Sequence, residues 1–139
     1  MITVPKQYIN PDKLFPSLQY GFSQITVSEP GKVVFLSGQV GWNERQQFPG
    51  SSDFQSQIMQ TFRNIETAMN AAGGEMTDIV SLRIYIVGEN FNNNHYISSA
   101  LKQFFPENSA PSSTWIRVLG LARKELLIEV EAIGVINYC

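Results

Sequence analysis

With 139 residues, 43% of them hydrophobic, the chain is long enough for one domain with one buried core. Its formal net charge of −2 gives no long-range attraction for polyanions, so neither nucleic acid nor an anionic membrane is expected as a partner. One cysteine, Cys139, and one histidine, His95, exclude an intramolecular disulfide and a His/Cys metal site. The sequence has no signal-peptide core and no apolar run of about 20 residues, which predicts a cytoplasmic protein.

The N-terminal part of the chain divides into an arm and a predicted hairpin. Residues 1–20 are rich in proline and polar side chains and are expected to form an irregular arm ahead of a single domain over residues 21–139. Gly21–Val27 and Val33–Val40 are predicted strands. Pro30-Gly31 between them is a turn signal, since proline presets φ and glycine accepts positive φ, so a β-hairpin is predicted.

A helix is predicted to begin at Ser52, which forms a capping-box pattern with Gln55. Its apolar residues recur every three or four positions and therefore form one stripe. The stripe consists of Phe54, Ile58, Phe62, Ile65, Met69 and Ala72. Gly73-Gly74 is expected to end the helix, because glycine adopts the left-handed conformation at little cost.

The C-terminal half is predicted to contain three strands and a second helix. Asp78–Val87 is rich in β-branched and aromatic residues, and Phe91–Phe105 shows helical periodicity. Ser112–Val118 and Leu126–Ile136 are predicted strands joined by the turn Gly120–Glu125. The order β-β-α-β-α-β-β, with a hairpin at each end, predicts an α+β two-layer domain: a mixed sheet with both helices on one face.

The other face of this sheet is expected to be covered by a second copy of the chain. Trp115 and the apolar residues of the last strand suggest such a cover. Leaving a whole sheet face in water would forfeit several kcal/mol, at about 25 cal/mol per Å² of apolar surface. The sequence therefore predicts a homo-oligomer.

Four segments, in order along most of the chain, resemble the motifs of the RidA/YjgF family of reactive-intermediate deaminases. They are Phe35–Val40 (FLSGQV), Gln60–Ile65 with Ala71–Gly74, Asp78–Val87, and Ile128–Ile133 (IEVEAI). The resemblance implies a chorismate-mutase-like fold and a homotrimer with three small-molecule clefts between subunits. It also implies hydrolysis of enamines and imines, such as 2-aminoacrylate, to keto acids and ammonia without a cofactor.

One position departs from the family pattern. The family's substrate-binding arginine lies in a P-x-R-(S/T) motif, which here reads Pro111-Ser112-Ser113-Thr114. Ser113 therefore takes the place of a guanidinium that would grip a substrate carboxylate with two hydrogen bonds. A hydroxyl cannot neutralise a carboxylate, so we expect a branch of the family that is not an archetypal 2-aminoacrylate deaminase.

Other candidate site residues follow from the resemblance. Glu129 matches the glutamate that could orient water or move a proton, although a charged residue on an open strand face is the alternative. Ser37 and Gly38 match the cleft-lining end of a strand, where a glycine could also mark a bulge. Phe22 takes the place of a cleft tyrosine and could equally be a core aromatic.

Three further residues are weaker candidates for ligand binding. Trp115 and Arg117 alternate with Ser113 and should face the same side of their strand. Trp115 is either an interface anchor or a cleft wall, and Arg117 either replaces the missing charge or forms a surface ion pair. Asn108 could line the cleft, but a turn asparagine is the ordinary alternative.

The sequence lacks the motifs of several other chemistries. It contains no G-x-G-x-x-G fingerprint, no P-loop, no G-x-S-x-G elbow and no H-E-x-x-H pair. Hence no metal and no cofactor are predicted.

The leading hypothesis is a protein that binds a small-molecule metabolite between subunits. An imine deaminase with another carboxylate-binding group or an uncharged substrate is the alternative, and an endoribonuclease or translation inhibitor is disfavoured by the acidic charge balance.

Overall fold

Two β-sheets and two α-helices form the fold in residues 3–138, the part of the chain that the computed structural model describes. The elements in chain order are β1 Lys6–Ile9, β2 Ile25–Ser28, β3 Lys32–Gln39, α1 Phe54–Ala71, β4 Ile79–Val87, α2 His95–Phe104, β5 Ser112–Val118 and β6 Ile128–Ile136. Cys139, the cysteine noted above, lies outside the described residues.

The main sheet has four strands in the order β3-β6-β4-β5. The β3/β6 and β6/β4 pairs are antiparallel, whereas β4 and β5 are parallel because α2 returns the chain to the same end of the sheet. The two helices and the inner strands share one hydrophobic core. The predicted fold class, an α+β domain with a mixed sheet and two helices on one face, is confirmed.

Both predicted hairpins are wrong. β2 pairs with β1 in a separate two-stranded sheet rather than with β3, and β5 pairs with β4 rather than with β6. β6 instead lies between β3 and β4, where its helix-facing residues are buried and hydrogen-bonding groups on both of its edges are paired. Strands that are neighbours in sequence pair in only about two-thirds of cases, and here the strand with the most buried residues, β6, takes a central position in the sheet.

The N-terminal arm is more ordered than predicted. Within residues 1–20, Lys6–Ile9 forms β1 and Ser17–Tyr20 forms one turn of 3-10 helix. The Lys6 ammonium donates to the backbone oxygens of Val4 and Val135 at 2.9 and 3.0 Å and lies 3.6 Å from an Asp78 carboxylate oxygen. Burial lowers the pKa of Lys6, and Asp78 partly offsets this effect. The prediction of an irregular arm is therefore wrong for these segments.

The N-cap of helix α1 lies one residue later than predicted. Asp53, not Ser52, is the N-cap, and its carboxylate accepts a hydrogen bond from the Ser56 amide at 2.7 Å. A carboxylate at this position also interacts favourably with the positive end of the helix dipole. The predicted stripe is buried from Phe54 to Met69, while Gly73, at φ +95°, ends the helix as expected.

Helix α2 is shorter than predicted. The α-helix covers His95–Phe104, and a 3-10 segment, Gly88–Asn93, precedes it. A boundary error of this kind arises because 3-10 turns show similar local spacing of apolar residues. Strand β5 has the predicted bounds, and β6 begins two residues later than predicted.

The two faces of the main sheet differ in their environment. We call the side covered by α1 and α2 the helix face, and the opposite side the open face. Leu82, Ile84 and Ile86 of β4 are fully buried on the helix face. On the open face, Phe35 remains 74% exposed. No helix among the described residues is long and apolar enough to cross a membrane.

Candidate functional site

A cleft of about 630 Å³ opens at the outer edge of β5. It is lined by Phe15, Tyr20, Phe22, Ser23, Gln24, Phe91, Asn94, Ser113, Thr114 and Trp115. These residues come from the N-terminal arm, the segment before β2, the α2 entrance and β5. The cleft therefore depends on the arm packing against the main sheet.

Ser113, the residue at the arginine position of the family motif, lies in this cleft. Its Oγ accepts a hydrogen bond from Trp115 Nε1 at 3.1 Å. Both side chains are on the helix face, since their partners in β4 are the buried Leu82 and Ile84. The expectation that Trp115 helps to form the uncovered sheet face is therefore wrong, and Trp115 instead packs against the core and forms a wall of the cleft.

Aromatic rings form most of the apolar surface of the cleft. Phe22 lies 5.6 Å from Trp115 and 6.2 Å from Phe15 between ring centroids. Phe15 and Tyr20 remain 57% and 44% exposed. Aromatic rings that are this exposed to solvent retain apolar surface that a ligand could cover.

The lining of the cleft is electrically neutral. Among the described residues none of its lining side chains is charged, and its polar groups are hydroxyls and amides. Arg117 does not line it. The Arg117 guanidinium lies over the Phe91 ring, 5.3 Å from the centroid. Its Cα atom is four residues along β5 from that of Ser113, or about 13 Å in an extended strand.

Ser23 has an unusual environment. It is only 1% exposed, and its hydroxyl has no hydrogen-bond partner among the described residues. Its backbone N–H donates to the Pro111 oxygen at 2.9 Å, and the residue bridges to Ser112 beside the family motif. A buried hydroxyl without a partner is unfavourable by about 1–3 kcal/mol unless something else bonds to it.

A second group of predicted residues meets where β3 pairs with β6. The register shifts between Leu36 and Gln39, and this irregularity lies opposite the start of β6. A Cβ atom at Gly38 would overlap the Glu129 carboxylate, so the absence of a side chain at Gly38 makes room for it. Ser37, adjacent in the chain, is exposed. Gly38 and Glu129 are therefore in close contact, with Ser37 next to Gly38 in the chain.

Glu129 and Glu131 both belong to the open face. Burial raises the pKa of Glu129, and the nearby Glu131 carboxylate adds to the effect. Glu131 accepts a short hydrogen bond from the Tyr85 hydroxyl, and this bond raises the pKa of Tyr85. The alternation predicted from sequence is confirmed, because Ile128 and Val130 are fully buried on the helix face.

The predicted site residues do not converge in one chain. Ser113 and Glu129 lie on opposite faces of the sheet, since the β4 partner of Ser113 is Leu82 and that of Glu129 is Tyr85. Asn108 is exposed and lines a different cavity, with Tyr8 and Glu107 among its neighbours. The chain therefore holds the predicted site residues in two separate groups, which we call half-sites: one contains Ser113 and the other contains Glu129.

Seven of the ten residues that line the cleft were not among the site residues predicted from the sequence. Four of the seven are three aromatic residues and the buried Ser23. Phe15 and Tyr20 belong to the arm that was expected to be irregular, Phe91 to the shortened start of α2, and Ser23 to a segment interpreted as plain strand. The aromatic residues in the proline-rich arm could have indicated that the arm packs against the domain. The buried, unpaired state of the Ser23 hydroxyl could be found only from the three-dimensional packing.

Comparison with known proteins links this geometry to one family. A family model described as Endoribonuclease L-PSP matches residues 15–136. The chain is 33% identical over 107 residues to a Dermatophagoides farinae protein named 2-iminobutanoate/2-iminopropanoate deaminase, covering 77% of this chain and 80% of that one. It is 32% identical over 108 residues to the putative reactive intermediate deaminase TdcF of Escherichia coli K12, covering 76% and 80%.

Solved structures show the same fold. YyfB of Yersinia pestis, a protein of the conserved Rid family, superposes with a TM-score of 0.88 at 31% identity, over 94% of this chain and 98% of that one. Escherichia coli TdcF with bound serine superposes with a TM-score of 0.65 at 28% identity, again over 94% and 98%.

Proposed function

The chain belongs to the endoribonuclease L-PSP family, that of the RidA/YjgF proteins, and we propose that it binds a small molecule without a carboxylate in clefts between the subunits of a homotrimer. On this proposal it is not an archetypal 2-aminoacrylate deaminase. The observation that carries it is the neutral cleft around Ser113.

The chemistry of this cleft favours an uncharged ligand. Ser113 offers one hydroxyl, which already bonds to the Trp115 indole, and none of the described lining residues supplies a positive charge. A carboxylate moved from water into such a site would lose hydration without gaining an ion pair. The Arg117 guanidinium lies over the Phe91 ring and is not among the lining groups, which argues against a direct replacement of the missing guanidinium.

Assembly between subunits would join the two half-sites. Within one chain, the sheet separates Ser113 from Glu129, so a site that uses both groups needs one from each of two subunits. The open face also exposes Phe35 and Val33, apolar side chains that a second copy would cover. A closed ring of three copies satisfies both requirements.

Imine hydrolysis of an uncharged substrate is the second candidate. Relatives at about a third identity are named as deaminases of 2-iminobutanoate and 2-iminopropanoate or of reactive intermediates. Burial and the Glu131 carboxylate raise the pKa of Glu129, which favours its protonated form and so a role as proton donor. Ribonuclease activity has no comparable support, because the net charge is −2.

Hydrolysis of 2-aminoacrylate, generated in situ and followed as keto acid and ammonia, tests the proposal. The wild-type protein should give no acceleration over the reaction in water. The Ser113→Arg variant should give a measurable gain of about tenfold or more, since a charge-assisted bidentate contact is worth roughly 1.5–3 kcal/mol. The Ser99→Arg variant, which adds the same charge on the exposed side of α2, should give none.

Acceleration by the wild-type protein would contradict the proposal if the Glu129→Ala variant lost it. The missing arginine would then have a functional replacement, and the Arg117→Ala variant would show whether Arg117 supplies it. Thermal unfolding of each variant separates loss of activity from loss of fold.

A further inference from the structure

Resting on the proposed function, we infer that the cleft at β5 takes a planar aromatic ligand without net charge, and that the buried hydroxyl of Ser23 forms a hydrogen bond with it. The inference names the class of ligand and adds a binding residue that the family motifs do not indicate. It combines three observations: the arrangement of the rings, the neutral lining and the unpaired hydroxyl.

The rings leave an aromatic surface rather than a filled core. Phe22 and Trp115 contact each other at an interplanar angle of 53°, and Phe15 meets Phe22 edge-on at 70°. Tyr20 and Phe91 complete the aromatic lining of a space of about 630 Å³. A space of this size accommodates a small organic molecule, and aromatic walls favour flat, polarisable ligands through offset or edge-on ring contacts.

The polar groups of the cleft fit a ligand that carries neutral hydrogen-bonding atoms. Gln24, Asn94 and Thr114 provide an amide, an amide and a hydroxyl, so donors and acceptors are both available. A cationic ligand is less well matched, because none of the described lining side chains is a carboxylate. The cation in the neighbourhood, Arg117, already lies over the outer ring, Phe91.

Ser23 supplies the independent sign of a ligand. Ser23 is one of the lining residues, and its buried hydroxyl bonds to no other group that the structure describes. By contrast, the hydroxyl of Ser17, which is also buried, donates to the Phe22 oxygen at 2.8 Å. Most buried polar groups in proteins have a partner. A ligand atom that bonds to Ser23 would supply the missing partner.

Four probes of similar size test the ligand class. Benzamide is aromatic and neutral, cyclohexanecarboxamide is neutral but saturated, benzoate is aromatic and anionic, and benzylamine is aromatic and cationic at neutral pH. Titration followed by the indole N–H signals in NMR reports on the site directly. Of the two tryptophans, Trp115 is in the cleft and Trp42 is not, so the Trp42 signal is an internal control.

Benzamide should shift the Trp115 signal and bind at least about threefold more tightly than each of the other probes, the lower end of what aromatic contacts contribute. Equal binding of cyclohexanecarboxamide would overturn the aromatic inference and leave the proposed function intact. Tighter binding of benzoate would overturn the proposed function itself. Tighter binding of benzylamine, or no shift of Trp115 with benzamide at millimolar concentration, would overturn the inference alone.

The Ser23→Ala variant tests the hydroxyl separately. It should weaken benzamide binding about three- to tenfold without lowering Tm, because the substitution removes a buried polar group that has no protein partner. The Ser99→Ala variant, a matched change at an exposed serine of α2, should leave benzamide binding unchanged. A lower Tm with unchanged benzamide binding in Ser23→Ala would assign the hydroxyl to the fold and overturn its role as a ligand contact.

Discussion

Glu129 lies against the backbone of β3 because Gly38 has no side chain. This contact, together with the carboxylate of Glu131, explains why the pKa of Glu129 is raised above the ordinary value of 4.5, with burial as the larger cause. Ser113 illustrates the opposite case at the residue scale. There, one substitution relative to the family motif removes a charge and leaves a hydroxyl paired with an indole.

The raised pKa of Glu129 predicts a specific pH dependence of stability. The folded protein holds the proton more tightly than the unfolded chain, so the contribution of Glu129 is fully present below pH 4.5 and is lost as pH rises through the folded pKa. The Glu129→Gln variant, which has no carboxyl group to ionise at this position, should therefore gain Tm relative to wild type as the pH rises above 4.5 and the wild-type carboxyl ionises. Thermal unfolding at constant protein concentration measures this difference.

The Glu66→Gln variant, which removes an exposed carboxylate from α1, controls for the change in net charge. A difference in Tm between Glu129→Gln and wild type that stays constant with pH would contradict the assigned cause. Loss of Tm at neutral pH in Glu129→Gln would show instead that the ionised carboxylate stabilises the fold.

At the scale of elements, helix α1 is fixed to the sheet by polar contacts as well as by its apolar stripe. The side chain of Gln57 is buried, and its amide nitrogen donates to the backbone oxygens of Ser52 and Glu125 at 2.8 and 3.0 Å. Its amide oxygen accepts from the Leu127 N–H at 2.9 Å. One side chain thus connects the entrance of α1 with the segment that leads into β6, where Glu129 follows.

Replacing Gln57 by leucine should lower the free energy of unfolding by about 2–4 kcal/mol, since it leaves buried backbone groups without partners. Urea unfolding followed by circular dichroism measures the change. The Gln55→Leu variant makes the same substitution at an exposed position of α1 and should remain within about 0.5 kcal/mol of wild type. A loss below about 1 kcal/mol for Gln57→Leu would mean that water replaces the amide.

At the scale of the whole molecule, the open face of the sheet exposes large apolar side chains that no other part of the described chain covers. Phe35 projects from β3 on this face and is 74% exposed, an unusual position for a large aromatic side chain. The predicted homotrimer would bury it. The N-terminal arm also links distant parts of the molecule. Lys6 of β1 forms an ion pair with Asp78, and the aromatic side chains of Phe15 and Tyr20 line the cleft.

The Phe35→Lys variant should therefore reduce the oligomer. Light scattering coupled to size exclusion should give about three times the chain mass of 15.6 kDa for wild type and a value close to one chain for the variant. The Leu119→Lys variant, which changes a fully exposed residue beyond β5, should keep the wild-type mass. A monomeric wild type, or an unchanged mass for Phe35→Lys, would contradict the trimer proposal.

The sequence by itself determined the local features of this protein. The spacing of apolar residues predicted the buried stripe of α1, the bounds of β5 and the opposite facing of Val130 and Glu129, because each depends on the repeat of one element. The order of the elements predicted the α+β fold class, and the motifs predicted the family through resemblance. They also predicted that Ser113 takes the place of the substrate-binding arginine.

Only the tertiary structure decided how these elements combine. It placed β6 between β3 and β4, made Asp53 the cap, separated Ser113 from Glu129, and brought Phe15 and Tyr20 of the arm to the cleft. Periodicity encodes which way a side chain faces within its own element. Pairing between strands depends on hydrogen bonds and burial shared by residues far apart in the chain, and no local pattern of residues specifies that choice.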